Sequence, residues 1–224
     1  MSFDHVLLCI RGTLADGTDH ARARDTHNAT AGNPEGVAAA RALGDLSHKV
    51  YTAVNVEKNG AKQDELLILD IWQTPEAIQK FFGSPAVQTG GAKLFKQRDP
   101  VVFMPAKGAF GFNIVAPMQK NDRYIGLLRG KVKSPEAAIE AFGASGKKHQ
   151  NLARQRGQLS HELYVRLDGP GKDGLIEILG VDTWFDPEGM AKHYQETMGP
   201  LMSLFPEPPV TSIWNPPAGL WVEW

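Results

Sequence analysis

One cysteine in 224 residues cannot close an internal disulfide, and no cysteine cluster exists to hold zinc or an iron–sulfur centre. Cys9 sits in the apolar run Val6-Leu7-Leu8-Cys9-Ile10, which reads as a buried structural thiol rather than a nucleophile. Long apolar runs are also missing: none approaches the roughly 20 residues of a membrane-spanning helix. The start, Met1-Ser2-Phe3-Asp4-His5, has no basic segment followed by an apolar stretch and a small-residue cleavage site, so no secretory signal is expected. Neither sign of charge dominates, with 24 Lys and Arg against 25 Asp and Glu, and no broad basic field would attract nucleic acid. No His-Glu-x-x-His motif, no histidine pair at i, i+4 and no Gly-x-Ser-x-Gly is present. The glycine pairs Gly90-Gly91 and Gly143-x-x-Gly146 lack a preceding strand, so they form no dinucleotide fingerprint. These absences leave a soluble, cytoplasmic protein with no nucleic-acid partner and no membrane partner as the expectation.

What is present occurs twice. Leu46-Ser47-His48 returns as Leu159-Ser160-His161, each after an Ala/Arg-rich run that ends in glycine, Gly44 and Gly157. Each leads through a strand-like run and a turn to an acid-x-Trp, Asp70-Ile71-Trp72 and Asp182-Thr183-Trp184, followed by Thr74-Pro75-Glu76 and Asp186-Pro187-Glu188. The histidines lie 113 residues apart and the tryptophans 112, a register held over about thirty residues. The chain reads as one fold written twice: repeat 1 over 1–115, a linker over 116–122, and repeat 2 over 123–224.

Within repeat 1, strands are expected at 4–11, 47–56, 65–72 and 100–104. Helical composition fills 18–44, broken at Gly32-Asn33-Pro34, and a second helix starts at Thr74-Pro75. The order is β-α-β-β-α-β, the split βαβ or ferredoxin-like unit. Repeat 2 places strands at 123–133, 160–167, 175–184 and 210–214, with helices opening at Ser134-Pro135 and Asp186-Pro187. In 66–72 one face carries Leu66, Ile68, Asp70 and Trp72 and the other Leu67, Leu69 and Ile71. Both faces are apolar, so both are covered. The fold class expected is α+β: two ferredoxin-like repeats packed sheet to sheet as a barrel-like pseudo-dimer within one chain.

The candidate chemistry follows from the matched positions. A carboxylate on an apolar strand face costs several kcal/mol unless it is paired or solvated. Asp70 and Asp182 therefore either face a cavity, where they hold a ligand or orient a histidine, or serve structure by binding backbone groups of a neighbouring loop or pairing with an arginine such as Arg11 or Arg129. His48 and His161, just after a helix-ending glycine, read either as bases or as cap-bonding residues. Trp72 and Trp184 read as core or as pocket wall. His193 lies nine residues after Trp184, where repeat 1 has Phe81. His27 and Asn28 could contact a ligand, although a solvated helix face is the preferred reading.

Gly44-Asp45-Leu46-Ser47-His48 with Trp72, and Gly157-Gln158-Leu159-Ser160-His161 with Trp184, resemble the antibiotic biosynthesis monooxygenase-like family of dimeric α+β barrels. His193 is similar to a histidine that many members carry on the helix after that tryptophan; repeat 1 lacks it. The family usually has one unit per chain and dimerises, so this chain looks like a fused dimer. The resemblance implies a monooxygenase-like enzyme needing no cofactor, oxidising a small aromatic or quinol-type molecule with dioxygen. On that reading His48, Asp70, His161, Asp182 and His193 are the catalytic candidates, and Trp72, Trp184, His27 and Asn28 line the substrate. Two alternatives stand: a haem-binding or haem-degrading protein with His193 or His161 on the iron, and a non-catalytic small-molecule-binding protein. Pairing of two such chains into a homodimer through the aromatic tails at 110–112 and 221–224 is a further expectation.

Overall fold

The computed structural model describes residues 5–56, 59–114 and 123–224. The elements run β1 Val6–Leu14, α1 His20–Ala29, α2 Pro34–Leu43, β2 Asp45–Ala53, β3 Glu65–Trp72, α3 Pro75–Phe82, α4 Pro85–Leu94, β4 Phe95–Pro105 and β5 Phe112–Asn113. The second half runs β6 Tyr124–Val132, α5 Pro135–Gln155, β7 Gln158–Arg166, β8 Ile176–Trp184, α6 Pro187–Thr197, a 3₁₀ turn Gly199–Leu204 and β9 Val210–Asn215. Two compact units emerge. Unit 1 comprises Met1–Asn55, Lys62–Phe103 and Pro216–Trp224; unit 2 comprises Val56–Ala61 and Met104–Asn215. These units differ from the expected repeats at the tails. The segment after β4, with Phe110 and Phe112, belongs to unit 2, and the final segment, with Trp221 and Trp224, belongs to unit 1. The expected linker, 116–122, lies outside the described residues.

Unit 1 has an antiparallel sheet in the order β4-β1-β3-β2, the ferredoxin-like arrangement. One face carries Val6, Leu8, Ile10, Leu66, Ile68 and Trp72, packed with Ala23, Ala40, Ile78 and Phe81 from the helices. On the other face Leu7, Cys9, Leu67 and Leu69 are buried as well, as two apolar faces demand. The helix boundaries follow from caps. Asn33 accepts from Gly36 N at 2.6 Å and Thr74 accepts from Ala77 N at 3.2 Å, each just before a proline at the first helical position. Gly44 ends α2 at φ 104°, a left-handed conformation that a side chain would strain.

Helix α4 is not expected from the sequence pattern. Its Gly90-Gly91 pair lowers helix propensity by about 1 kcal/mol per residue relative to alanine. The glycines serve packing instead, since a Cβ on Gly90 would lie 3.0 Å from the Thr30 side chain at the end of α1.

Unit 2 orders its strands β9-β6-β8-β7-β5. The single 21-residue α5 stands where unit 1 has α1 and α2, because no Asn-Pro pair interrupts it. Its core joins Leu128, Val132 and Ile178 to Phe142, Leu201 and Phe205. The Asn59-Gly60 turn is pinned here: Asn59 accepts from Ile213 N at 2.9 Å and donates to Ile213 O at 3.0 Å.

Candidate functional site

Register places the acid opposite the histidine in each unit. His48 pairs with Asp70 across β2 and β3, and His161 with Asp182 across β7 and β8, so both side chains of each pair share a face. Nδ1 of each histidine lies 2.7 Å from Oδ1 of its aspartate. The arginines go elsewhere: Arg11 bonds Glu65 at 2.6 Å and Arg129 bonds Glu177 at 2.7 Å. Of the two readings of Asp70 and Asp182, the structure shows the histidine-orienting one.

In unit 1 the ladder shifts by one residue between Asp45 and Ser47, leaving Leu46 bulged out and half exposed. Strand alternation alone would put Asp45 and His48 on opposite faces. The bulge reverses that parity, and Asp45 pairs with Trp72 while His48 pairs with Asp70. Asp45, His48 and Asp70 are all buried, and all three line a cavity of about 860 Å³ beneath the four helices. Its remaining walls are mostly apolar, among them Ile10, Leu43, Ile68, Phe81 and Leu94, with Trp224 from the tail.

His27 is not on a solvated helix face, as its polar neighbours in α1 suggest; it is 1% exposed. Its Nε2 lies 2.9 Å from His48 Nε2, and its Nδ1 lies 3.1 Å from Asn28 Oδ1. Asn28 Nδ2 donates to the Leu220 carbonyl at 2.8 Å, and Oδ1 accepts from Val222 N at 3.0 Å. The two backbone groups fix the orientation of the amide, so Asn28 Oδ1 is an acceptor and His27 Nδ1 carries a proton. Burial, and then the neighbouring His48, lower the His27 pKa to about 4. His27 is thus neutral at pH 7, and its Nε2 accepts from His48 Nε2. His48 must then donate from both nitrogens, as an imidazolium against the Asp70 carboxylate. Burial opposes that charge, but Asp70, Asp45 and Glu223 outweigh it and raise the His48 pKa. Asn28 does not line the cavity. It ties down the final segment, whose Trp224 exchanges backbone hydrogen bonds with His48 and stacks on its ring at 4.6 Å.

Asp45 belongs to the Gly44–His48 motif but is not among the candidate residues expected from the sequence. Burial, and then the adjacent Asp70 carboxylate, push its pKa up to about 7. Repeat 2 has Gln158 in its place. Aligning Gly44-Asp45-Leu46-Ser47-His48 with Gly157-Gln158-Leu159-Ser160-His161 supplies the signal, because the difference falls beside the shared histidine.

Trp72 and Trp184 stand behind the cavities and not in their walls. Both are fully buried; Trp72 packs on Phe81 at 5.4 Å and Trp184 on His193 at 5.4 Å. Their bulk fills the core between sheet and helix, so the substrate-contact reading gives way to a structural one.

In unit 2, Asp182 accepts on Oδ2 from the Tyr194 hydroxyl, which also accepts from the Trp184 indole at 3.2 Å. Gly126 makes room, since a Cβ there would meet the Tyr194 hydroxyl. Unit 1 has Leu8 and Phe82 at these places. The unit 2 pocket is only about 70 Å³, with His149, His161 and His193 among its lining. Among the described residues, no group of three His, Cys, Asp or Glu could hold a metal ion. No helix among them is long and apolar enough to cross a membrane.

No protein-family model matches the chain, and no curated protein matches it in sequence. Solved structures do match. An anthrone oxidase-like protein aligns at 15% identity over 96% of this chain and 92% of its own, with a TM-score of 0.64. A mutant chlorite dismutase from Candidatus Nitrospira defluvii aligns at 11% identity over 96% and 92%, with a TM-score of 0.56. An uncharacterized ferredoxin fold protein related to antibiotic biosynthesis monooxygenases, from Listeria monocytogenes, aligns at 10% identity over 97% and 98%, with a TM-score of 0.51. Identities this low speak for fold, and they do so over both repeats at once. The chain has an α+β fold of two ferredoxin-like repeats.

Proposed function

We propose that unit 1 is a cofactor-independent oxygenase site for a small aromatic substrate of the quinol or anthrone type. The observation that carries this reading is Asp45: a buried carboxyl with a pKa of about 7, at the polar end of an apolar cavity of about 860 Å³, beside an imidazolium. The volume lies within the range of roughly 300–1,000 Å³ typical of small-molecule sites. His48 is not the base, since both its nitrogens carry protons and are engaged. Asp45 takes the proton from the phenol or the activated C–H, its pKa being matched to neutral pH. The His48 charge stabilises the resulting anion, which the apolar walls keep from water.

The anion gives one electron to dioxygen, and the two radicals combine to form a C–O bond. The peroxide anion takes the proton back from Asp45, and the hydroperoxide then loses water. For a methylene centre the sum is R₂CH₂ + O₂ → R₂C=O + H₂O, in which the substrate supplies every electron and no external reductant enters. The name of one structural neighbour, anthrone oxidase-like, agrees with that class of substrate.

Haem fits the residues poorly. Both nitrogens of His48 and of His27 are engaged, and the pocket holding His161 and His193 is about 70 Å³, far below the size of a macrocycle.

Oxygen uptake with a panel of anthrones and quinols tests the proposal. The expected result is one dioxygen consumed per substrate and loss of turnover in Asp45→Asn. Uptake unchanged in that variant removes the proposed base, and no uptake across the panel counts against an oxygenase. Ligand-induced thermal stabilisation without turnover would leave a binding protein.

A further inference from the structure

The pocket of unit 2 has no part in that reaction, yet it is not a plain core void. Two histidines line it, and in each one imidazole nitrogen, His161 Nε2 and His193 Nδ1, is buried with no hydrogen-bond partner among the described residues. His193 is 8% exposed, and leaving the polar atom of so buried a group unmet is destabilising. The rest of the wall is largely apolar, including Phe112, Phe142, Leu127 and Leu201. A wholly structural pocket has a simpler solution in this same chain: at the position matching His193, unit 1 places Phe81.

The chemistry of the two nitrogens is defined by what surrounds them. His161 holds Asp182 through Nδ1, and Asp182 is satisfied a second time by the Tyr194 hydroxyl. Burial opposes a charge on His161, but Asp182 outweighs it and favours the imidazolium, which leaves Nε2–H as an unpartnered donor. His193 stays neutral through burial and the nearby Arg156, and its Nδ1 can present a second N–H. Asp182, the carboxylate on the wall, is already engaged, so it does not compete for those donors. The volume of about 70 Å³ equals roughly two water molecules' share of liquid.

We infer that unit 2 carries a binding site for a small monovalent anion of one to three heavy atoms, held between His161 Nε2–H and His193 Nδ1–H. Azide, formate and chloride are the probes. The ring resonances of His161 and His193 are followed by NMR during titration of the full chain, with gluconate, too large for the pocket, at matched ionic strength.

The expected result is a saturable shift of both rings with azide, formate or chloride and none with gluconate. His193→Phe, which installs the unit 1 residue, should weaken binding at least tenfold as read from His161, and His161→Gln should do the same as read from His193. Equal, non-saturating shifts with all anions reduce the effect to ionic strength and overturn the site. A saturable response that survives both variants places the anion elsewhere and overturns it equally. Should His161→Gln fail to fold, His193→Phe alone decides.

Discussion

Units 1 and 2 share a sheet order, a His–Asp pair and a buried tryptophan, and they differ in what surrounds the pair. In unit 1 the second nitrogen of His48 meets His27, and a carboxyl, Asp45, stands on the same face. In unit 2 the place of Asp45 is taken by Gln158, Tyr194 engages the other oxygen of Asp182, and the space shrinks from about 860 to about 70 Å³. The helix break at Asn33-Pro34 goes with the larger cavity and the unbroken α5 with the smaller one. One scaffold thus holds the same imidazole–carboxylate pair in two electrostatic states: beside a titratable acid in a roomy apolar cavity, or sealed by a phenol in a tight one. The difference teaches that the shared pair is scaffold chemistry, and that an acid at neutral pH arises only where a second carboxyl is buried next to it.

The sharpest way to break this comparison is to exchange the unlike residues. Asp45→Asn should lower turnover of a responsive substrate by about 10²–10⁴, the usual worth of a positioned base. Gln158→Leu, at the matched position, should leave the rate unchanged. Equal losses from the two would make the units equivalent.

A next-largest effect tests the likeness instead. Trp72→Ala and Trp184→Ala should each cost about 3–5 kcal/mol in denaturant unfolding, since both indoles are fully buried against the following helix. A cost under 1 kcal/mol at either site would separate their roles. Smaller again is Tyr194→Phe, which removes a hydroxyl bonded to both Asp182 and Trp184 and should cost about 1–3 kcal/mol. Phe82 already fills the matched place in unit 1 without a hydroxyl, so Phe82→Leu should cost packing alone.

Much of this was legible in the residues. The repeated Leu-Ser-His and acid-x-Trp fixed two like units, and period-two alternation put Asp70 with Trp72 and Asp182 with Trp184. What escaped has physical reasons. Asp45 was hidden because a bulge at Leu46 reverses strand parity, which no periodicity reports. His27 was hidden because α1 is polar in composition and its one buried imidazole is claimed by a strand 21 residues on. The polar start of β4, Lys96 to Asp99, concealed half of a strand, and Gly90-Gly91 concealed α4. The placing of the aromatic tails depends on which unit each segment joins. In sequence they suggested contact between chains; in the structure Trp221 is buried in unit 1 and Trp224 stacks on His48.

The smallest effect is also the most specific to unit 1. Burial, then Asp70, raise the Asp45 pKa from 3.8 to about 7, so between those pH values the folded state holds a proton that the unfolded chain has lost. That group's contribution to stability is full below about pH 4 and falls as pH rises through 7. His27 has the opposite sign. Its pKa falls from 6.5 to about 4, so the unfolded chain binds a proton first as pH drops, and stability declines from pH 6.5 towards 4. The two slopes oppose each other over nearly the same interval. Asp45→Asn removes one of them. The melting temperature of the variant minus that of the native chain should therefore grow steadily from pH 4 to 7, while Gln158→Leu in unit 2 should give a constant offset. A constant offset for both would mean that Asp45 titrates as an ordinary carboxylate, and the distinction between the two units would lose its electrostatic basis.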